Sequence, residues 1–148
     1  MQIFVAAQRP DALVNALLFV WEDSVQATYA FLSEKEIAKI KKYVPQAIKN
    51  VQTLLIAGEE PNRPVAFLGI ENRKIEFLFV KNEERGKGLG KQLVQYVEDR
   101  YAANKGTVNE QNPQALGFYL YLGFAIKSRS ETDEQGNPYP ILHLELPD

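Results

Sequence analysis

Apolar positions along this chain change period several times, from about 3.6 residues to 2 and back. The opening "MQIFVAA" reads as a short strand. A helix follows from near Pro10, a residue suited to a first helical turn. Within it Leu13, Leu17, Trp21, Ser24 and Thr28 recur at spacings of three and four and share one face. Ser33, followed by Glu36 three residues on, is a capping box that starts a second helix in "FLSEKEIAKIKKY". Ile37, Ile40 and Val44 continue its apolar side, and Pro45 kinks or ends it.

Three strands come next, "VQTLLIAGE", "PVAFLGIE" and "IEFLFV". The turns between them, "EPNR" and "NRK", are short, which predicts an antiparallel meander. After the glycine-rich "EERGKGLGKQ", residues Leu89, Leu93, Tyr96, Val97 and Tyr101 form a helical stripe. "GTVNE" reads as a short strand. "NPQALGFYLYLGF" reads as a short helix with Asn112 as N-cap, Pro113 in the first turn, Gly123 past the end, and Leu116 and Leu120 turned inward. Two strands close the chain, "FAIKSRSE" and "YPILHLEL", around the loop "TDEQGNP". In the last, Leu142, Leu144 and Leu146 share one face, and His143 between them is expected to be exposed. The order βααβββαβαββ predicts one mixed α/β domain over residues 1–148.

Composition narrows the function. The 148 residues are 45% hydrophobic and 24% charged, with a net charge of −2. That is enough for a core, and it carries no basic footprint of a nucleic-acid binder. With no cysteine, disulfides, thiolate metal sites and a cysteine nucleophile are excluded. The lone histidine cannot build a His-rich metal site, and no GxSxG accompanies it. The N-terminus lacks a basic signal-peptide region, and no apolar run approaches the roughly 20 residues of a membrane span. A cytoplasmic protein with no membrane or nucleic-acid partner is the expectation.

The glycine loop is the first candidate site. Gly86, Gly88 and Gly90 alternate with Lys87 and Leu89, between a strand and a helix. A Walker A loop is excluded: the spacing from Gly86 to Gly90-Lys91 is one residue short, and Gln92 replaces the hydroxyl. The Rossmann GxGxxG is not met either. A helix start still presents free N–H groups and positive potential, and glycines allow close approach of a ligand. With Arg85, Lys87 and Lys91 around it, the loop is suited to a phosphate or pyrophosphate.

Asn112, Ala115 and Tyr119 form a second constellation, at spacings of three and four on one side of a helix. Tyr119 is either a half-buried aromatic or a general acid. A phenol with pKa of about 10 can protonate a leaving thiolate whose thiol has a pKa of about 8.5.

Together these residues resemble the GCN5-related N-acetyltransferase (GNAT) family. The family's acetyl-CoA motif, Arg or Gln, then x-x-Gly-x-Gly or Ala, is met by Arg85, Gly88 and Gly90. Its second pattern, N-x-x-A-x-x-F-Y-x-x-x-G-F, is filled by Asn112, Ala115, Phe118, Tyr119, Gly123 and Phe124. Further stretches are similar to small bacterial single-domain members. The resemblance implies a GNAT fold, a central, mostly antiparallel mixed sheet of about seven strands flanked by about four helices. It implies an N-acetyltransferase that moves an acetyl group from acetyl-CoA to a primary amine by direct attack in a ternary complex, with no metal.

Residue by residue, the same resemblance assigns the pyrophosphate to Gly86, Lys87, Gly88, Leu89 and Gly90, with Arg85 and Lys91 beside it. Leu78, Phe79 and Val80 would pair with the pantetheine as an added strand, and a backbone N–H there would polarise the thioester carbonyl. Asn112 would bind the pantetheine arm beside Ala115 and Phe118, and Tyr119 would protonate the thiolate. Glu76 is the candidate base, expected to face opposite Phe77 and Phe79; its other reading is a strand carboxylate in a salt bridge. Trp21, Ser24, Val25, Thr28 and Phe31 would wall the acceptor site, with Glu22 and Asp23 helping to receive a cationic amine. For Trp21 a core position is the favoured reading over the pocket. The acceptor is a small amine or a protein or peptide amine, and a homodimer through the last strands is compatible with the fold. Two other readings stay open: a catalytically silent CoA-binding sensor, and a phosphate-binding nucleotide module.

Overall fold

One sheet runs through the whole structure in the strand order β1-β2-β3-β4-β5-β7-β6. It is seen in a computed structural model that describes residues 1–147. In chain order the elements are β1 (Gln2–Val5), α1 (Asp11–Thr28), α2 (Glu34–Lys41), α3 (Val44–Asn50), β2 (Thr53–Gly58), β3 (Pro64–Glu71) and β4 (Lys74–Val80). There follow α4 (Leu89–Tyr101), β5 (Lys105–Asn109), α5 (Pro113–Tyr121), β6 (Ala125–Ser130) and β7 (Ile141–Glu145). The seven expected strands and four expected helices form, and "VPQAIKN" adds a fifth helix, α3. Pro45 does not interrupt α2, which already ends at Lys41; it stands in the first turn of α3. Proline is at ease there because the first turn has no intrahelical use for its missing N–H.

Local chemistry accounts for several boundaries. Ser33 Oγ accepts from the Glu36 N–H at 3.2 Å, and Glu36 Oε1 accepts from the Ser33 N–H at 3.0 Å. Asn112 Oδ1 caps α5 by accepting from the Ala115 N–H at 3.2 Å. Both caps satisfy amides that the first helical turn leaves orphaned.

β1 to β4 form the expected antiparallel run, and β4 then pairs parallel with β5. The central strands are apolar on both faces because helices cover both. Leu54, Ile56 and Phe67 pack towards α1, with Val14, Leu17, Val20 and Trp21. Leu55, Ala57, Ala66 and Leu68 pack towards α4, with Leu89, Leu93, Val94 and Val97. Tyr119 belongs to this second cluster. Leu120 departs from the expectation that it turns inward. It is exposed, because Tyr119 takes the buried position on α5. His143 is half-buried rather than exposed, with Nε2 2.7 Å from Ser130 Oγ.

Two irregularities in β4 matter most. Gly69 pairs with Phe77 and Ile70 with Ile75, so Glu76 is the extra residue of a β-bulge. The Phe77 ring lies on Gly69, where a Cβ would stand 2.4 Å from its Cζ. Moreover, β4 and β5 pair only at Lys74–Lys105 and Ile75–Gly106 and then part. Beyond that point β7 is the only pairing neighbour of β5.

Gly69→Ala therefore forces the Phe77 ring off the bulge. The expected loss is about 1–3 kcal/mol of stability, read as a lower urea midpoint at unchanged slope. Unchanged stability would mean that the ring moves aside freely.

Candidate active site

The parting of β4 and β5 opens two cavities. The first, of about 420 Å³, lies among β4, the start of α4, α5 and the end of α1. The second, of about 390 Å³, lies among β4, β5, α1 to α3 and the β6–β7 loop. Each is of the size that holds a small ligand. Tyr29, Leu78, Phe79, Ala115 and Tyr119 line both.

The first cavity gathers most of the expected cofactor residues: Leu78, Phe79, Val80, Arg85, Gly86, Gly88, Leu89, Gly90, Lys91, Asn112, Ala115 and Phe118. Gly86 and Gly88 have φ of 77° and 82°, a left-handed conformation that glycine adopts without strain. No atom lies within 4 Å of where their Cβ atoms would be. Gly88 is the N-cap of α4 and offers no side chain, so the first amides of that helix are left for a ligand. Gly90 packs on α5, its missing Cβ 3.2 Å from Phe118 Cζ.

Charge around this cradle is mixed. Arg85 Nη2 donates to Gln114 Oε1, which ties the glycine loop to α5. Lys91 Nζ stands 5.7 Å from the centre of the exposed Tyr121 ring. Lys87 lies outside the cavity lining, with Nζ 3.5 Å from Glu84 Oε2. Glu84, a carboxylate in an otherwise cationic lining, is thereby offset.

Tyr119 is 5% exposed, edge-on to the rings of Phe118 and Phe124. Burial pushes its hydroxyl well above the ordinary tyrosine range, and the nearby Tyr29 adds to the effect. Tyr29 is raised too, chiefly by burial, with the Asn112 side chain opposing. Tyr29 is the C-cap of α1.

The second cavity contains Glu76, but not as strand alternation predicts. Glu76 lines it together with Phe77 and Phe79 rather than facing away from them. The bulge is the reason: an extra residue breaks the period of two and re-aims the side chain. Glu76 Oε2 is 3.7 Å from Lys74 Nζ. Burial raises its pKa, Lys74 opposes, and Glu134 and Glu71 add to the rise.

The expected acceptor residues divide. Ser24 and Thr28 line the first cavity, where the Thr28 hydroxyl donates to the Ser24 carbonyl at 2.8 Å. Trp21, 3% exposed, is a core residue that also lines the second cavity. Val25 is buried in the same core. Phe31 lines neither cavity and stands between the rings of Tyr29 and Tyr139, at 5.4 and 6.3 Å. Glu22 and Asp23 are engaged elsewhere, with Lys41 Nζ at 2.5 Å and with the Asn82 N–H at 2.7 Å.

Sequence reasoning missed the outer wall. The β6–β7 loop folds on Asp133, whose carboxylate accepts from the Gln135 and Asn137 amides. Tyr139 then donates to Glu36 Oε2, across to α2. A loop of Asp, Gly, Asn and Pro signals a turn, but not what the turn covers. Among the described residues no helix is long and apolar enough to cross a membrane, and no cluster of three acidic or histidine side chains is placed to hold a metal ion.

The sequence model of the acetyltransferase (GNAT) domain matches residues 25–141. Peptidyl-lysine N-acetyltransferase YjaB of Salmonella typhimurium is 37% identical over 131 residues, covering 88% of this chain and 90% of that protein. The Escherichia coli protein of the same name is 36% identical over 132 residues, covering 86% of each. The solution structure of apo YjaB from Escherichia coli superimposes with a TM-score of 0.83 at 34% identity, over 98% of this chain and 97% of that one. The fold is shared, at 22% identity and a TM-score of 0.67, with the PaiA N-acetyltransferase of Thermoplasma acidophilum in complex with coenzyme A, over 98% and 99% of the two chains. The glycine cradle, the parted strands and these likenesses agree: the chain belongs to the GNAT acetyltransferase family.

Proposed function

We propose that the protein is a cytoplasmic enzyme that acetylates the side chain of lysine in peptides or proteins, with acetyl-CoA as donor. The observation that carries this reading is the meeting of two cavities at Tyr119 and Leu78, one with an anion cradle and one with an acidic wall. Acetyl-CoA brings an activated acetyl thioester that an unprotonated amine attacks directly. The whole chain, 1–148, acts as one domain, since β1 joins the same sheet as the rest.

In the first cavity, the amides at the start of α4 hold the pyrophosphate, with Arg85 and Lys91 adding charge. The open edge of β4 beyond Ile75 offers backbone groups to the pantetheine amides, as an added strand would use them. A β4 N–H near Phe79 donates to the thioester carbonyl oxygen and stabilises the charge that develops there. The Asn112 Oδ1 is engaged in capping α5, so its amide N–H₂ is the part left to donate to the pantetheine arm.

In the second cavity, Glu36, Glu76 and Asp133 outweigh Lys39 in charge and suit a lysine ammonium. The peptidyl-lysine activity in the names of both YjaB relatives supports the same acceptor class. Glu76 takes the proton of the ammonium, and its raised pKa makes it a better base than an exposed carboxylate. Tyr119 donates its proton to the departing sulfur. Burial keeps the phenol protonated at neutral pH but also makes it a weaker acid, an opposition that the same apolar setting reduces by raising the proton affinity of the thiolate it serves.

Isothermal calorimetry tests the donor site first, with ATP and NAD as controls. Wild type is expected to bind acetyl-CoA, and Gly88→Glu to lose it, since the variant strains a left-handed residue and sets a carboxylate at the anion site. Tight ATP or NAD binding that displaces acetyl-CoA would point to a nucleotide module instead. Thiol release with a lysine peptide tests the chemistry. Tyr119→Phe and Glu76→Gln should each lower kcat by about 10²–10⁴-fold with acetyl-CoA affinity unchanged. Binding without release in wild type would leave only a CoA-binding sensor. In an ultraviolet titration, the tyrosine amplitude that ionises above the ordinary range, to which Tyr29 and Tyr139 also contribute, should shrink by one residue in Tyr119→Phe; an undiminished amplitude would mean that Tyr119 is not a shielded phenol.

A further inference from the structure

Lys74 opens the two-residue stretch over which β4 and β5 pair, two residues before Glu76. Its Nζ is 3.7 Å from Glu76 Oε2 and 3.9 Å from Glu134 Oε1 in the β6–β7 loop. The side chains of Lys74 and Glu76 are 30% and 26% exposed, whereas that of Glu134 is 81% exposed. The inner pair is therefore sheltered from much of the screening that weakens a surface ion pair, and the outer one is not.

We propose that Lys74 is a positioning residue: it holds the Glu76 carboxylate charged and turned into the acceptor cavity, and Glu134 competes for it from the loop. The inference rests on the reading of Glu76 as base.

The bulge gives Lys74 this task. Glu76 has no ladder partner to fix its backbone, and its carboxylate lies beside Phe77 and Phe79. A carboxylate in that setting tends to take up a proton, and Glu71 on β3 pushes the same way. Of the charged groups that face it, Glu36 and Asp133 line the cavity from α2 and the loop and also repel, whereas Lys39 attracts. From β5 come only Thr107 and Asn109 among the polar residues, and neither titrates. Lys74 is the cation in direct contact. Glu134 draws on the same ammonium and adds a repelling charge, so it acts in the opposite sense.

The two residues thus predict shifts of opposite sign. Without Lys74, charged Glu76 is less stable, its titration midpoint rises, and the acid limb of kcat/KM moves to higher pH. Without the Glu134 charge, the midpoint falls and the limb moves to lower pH. A merely structural role would lower kcat/KM at every pH and leave the limb in place.

The experiment compares wild type, Lys74→Met, Lys74→Arg, Glu134→Gln and Glu76→Gln. Each is followed by ¹³C-NMR titration of labelled glutamate carboxyls and by the pH profile of kcat/KM for a lysine peptide. The resonance missing in Glu76→Gln assigns Glu76. Expected are an upward shift of midpoint and acid limb together in Lys74→Met, a downward shift in Glu134→Gln, and wild-type behaviour in Lys74→Arg. Glu134 is exposed, so its variant keeps the test alive if Lys74→Met fails to fold. An unmoved Glu76 midpoint in both variants overturns the inference and leaves the base assignment intact. A midpoint that moves while the acid limb stays, or full activity in Glu76→Gln, overturns the base assignment and the inference with it.

Discussion

Everything in the site depends on two strands that stop pairing. β4 and β5 share two register pairs and then separate, although both continue for several residues. A parted pair leaves backbone donors and acceptors without ladder partners, which is costly unless a ligand or water takes them. The fold meets that cost in one place and uses it. The gap receives Tyr119 from α5 and Tyr29 from the end of α1, and the two cavities meet there. The strands beyond the gap are held independently: β5 by β7 along its whole length, and β4 by β3. The sheet can thus open at its centre without coming apart.

The bulge at Glu76 is the second half of the same device. It interrupts the ladder of β3 and β4 just as β4 leaves β5, and it turns a carboxylate into the opening. Phe77 resting on Gly69 fixes the bulge from below. The rings of Phe67, Phe77 and Phe79 then pack together, so the wall of the second cavity is an extension of the core. A rigid wall of this kind is what keeps a reacting amine at a defined distance from a base.

How much of this is legible from the sequence follows how local each cause is. The Ser33–Glu36 capping box, the Asn112 cap and the left-handed glycines depend on neighbours within four residues, and the chain states them openly. The meander is legible too, because its turns leave little room for any other path. The orientation of Glu76 is not. It depends on Gly69 across the ladder, and strand alternation assigned it to the wrong side. Leu120 misled for a related reason: on a short apolar helix, the choice of inward face belongs to the sheet it meets. Neither Phe31 against Tyr139 nor Tyr139 with Glu36 carries any sequence signal, since the partners lie about a hundred residues apart.

That last contact divides the molecule in an unequal way. The first cavity is assembled from one contiguous stretch, β4 through α5, plus the tip of α1. The second cavity is stitched from α1 to α3 and the distant β6–β7 loop around β4 and β5, with the Tyr139–Glu36 bond and the Lys74–Glu134 pair as its seams. Substitutions in the loop or in α2 reshape what is presented to the reaction without touching the glycine cradle. On the proposed assignment of the two cavities, a lineage of such proteins can change its acetylated partner by changes at these seams while the machinery that grips the donor is inherited unaltered.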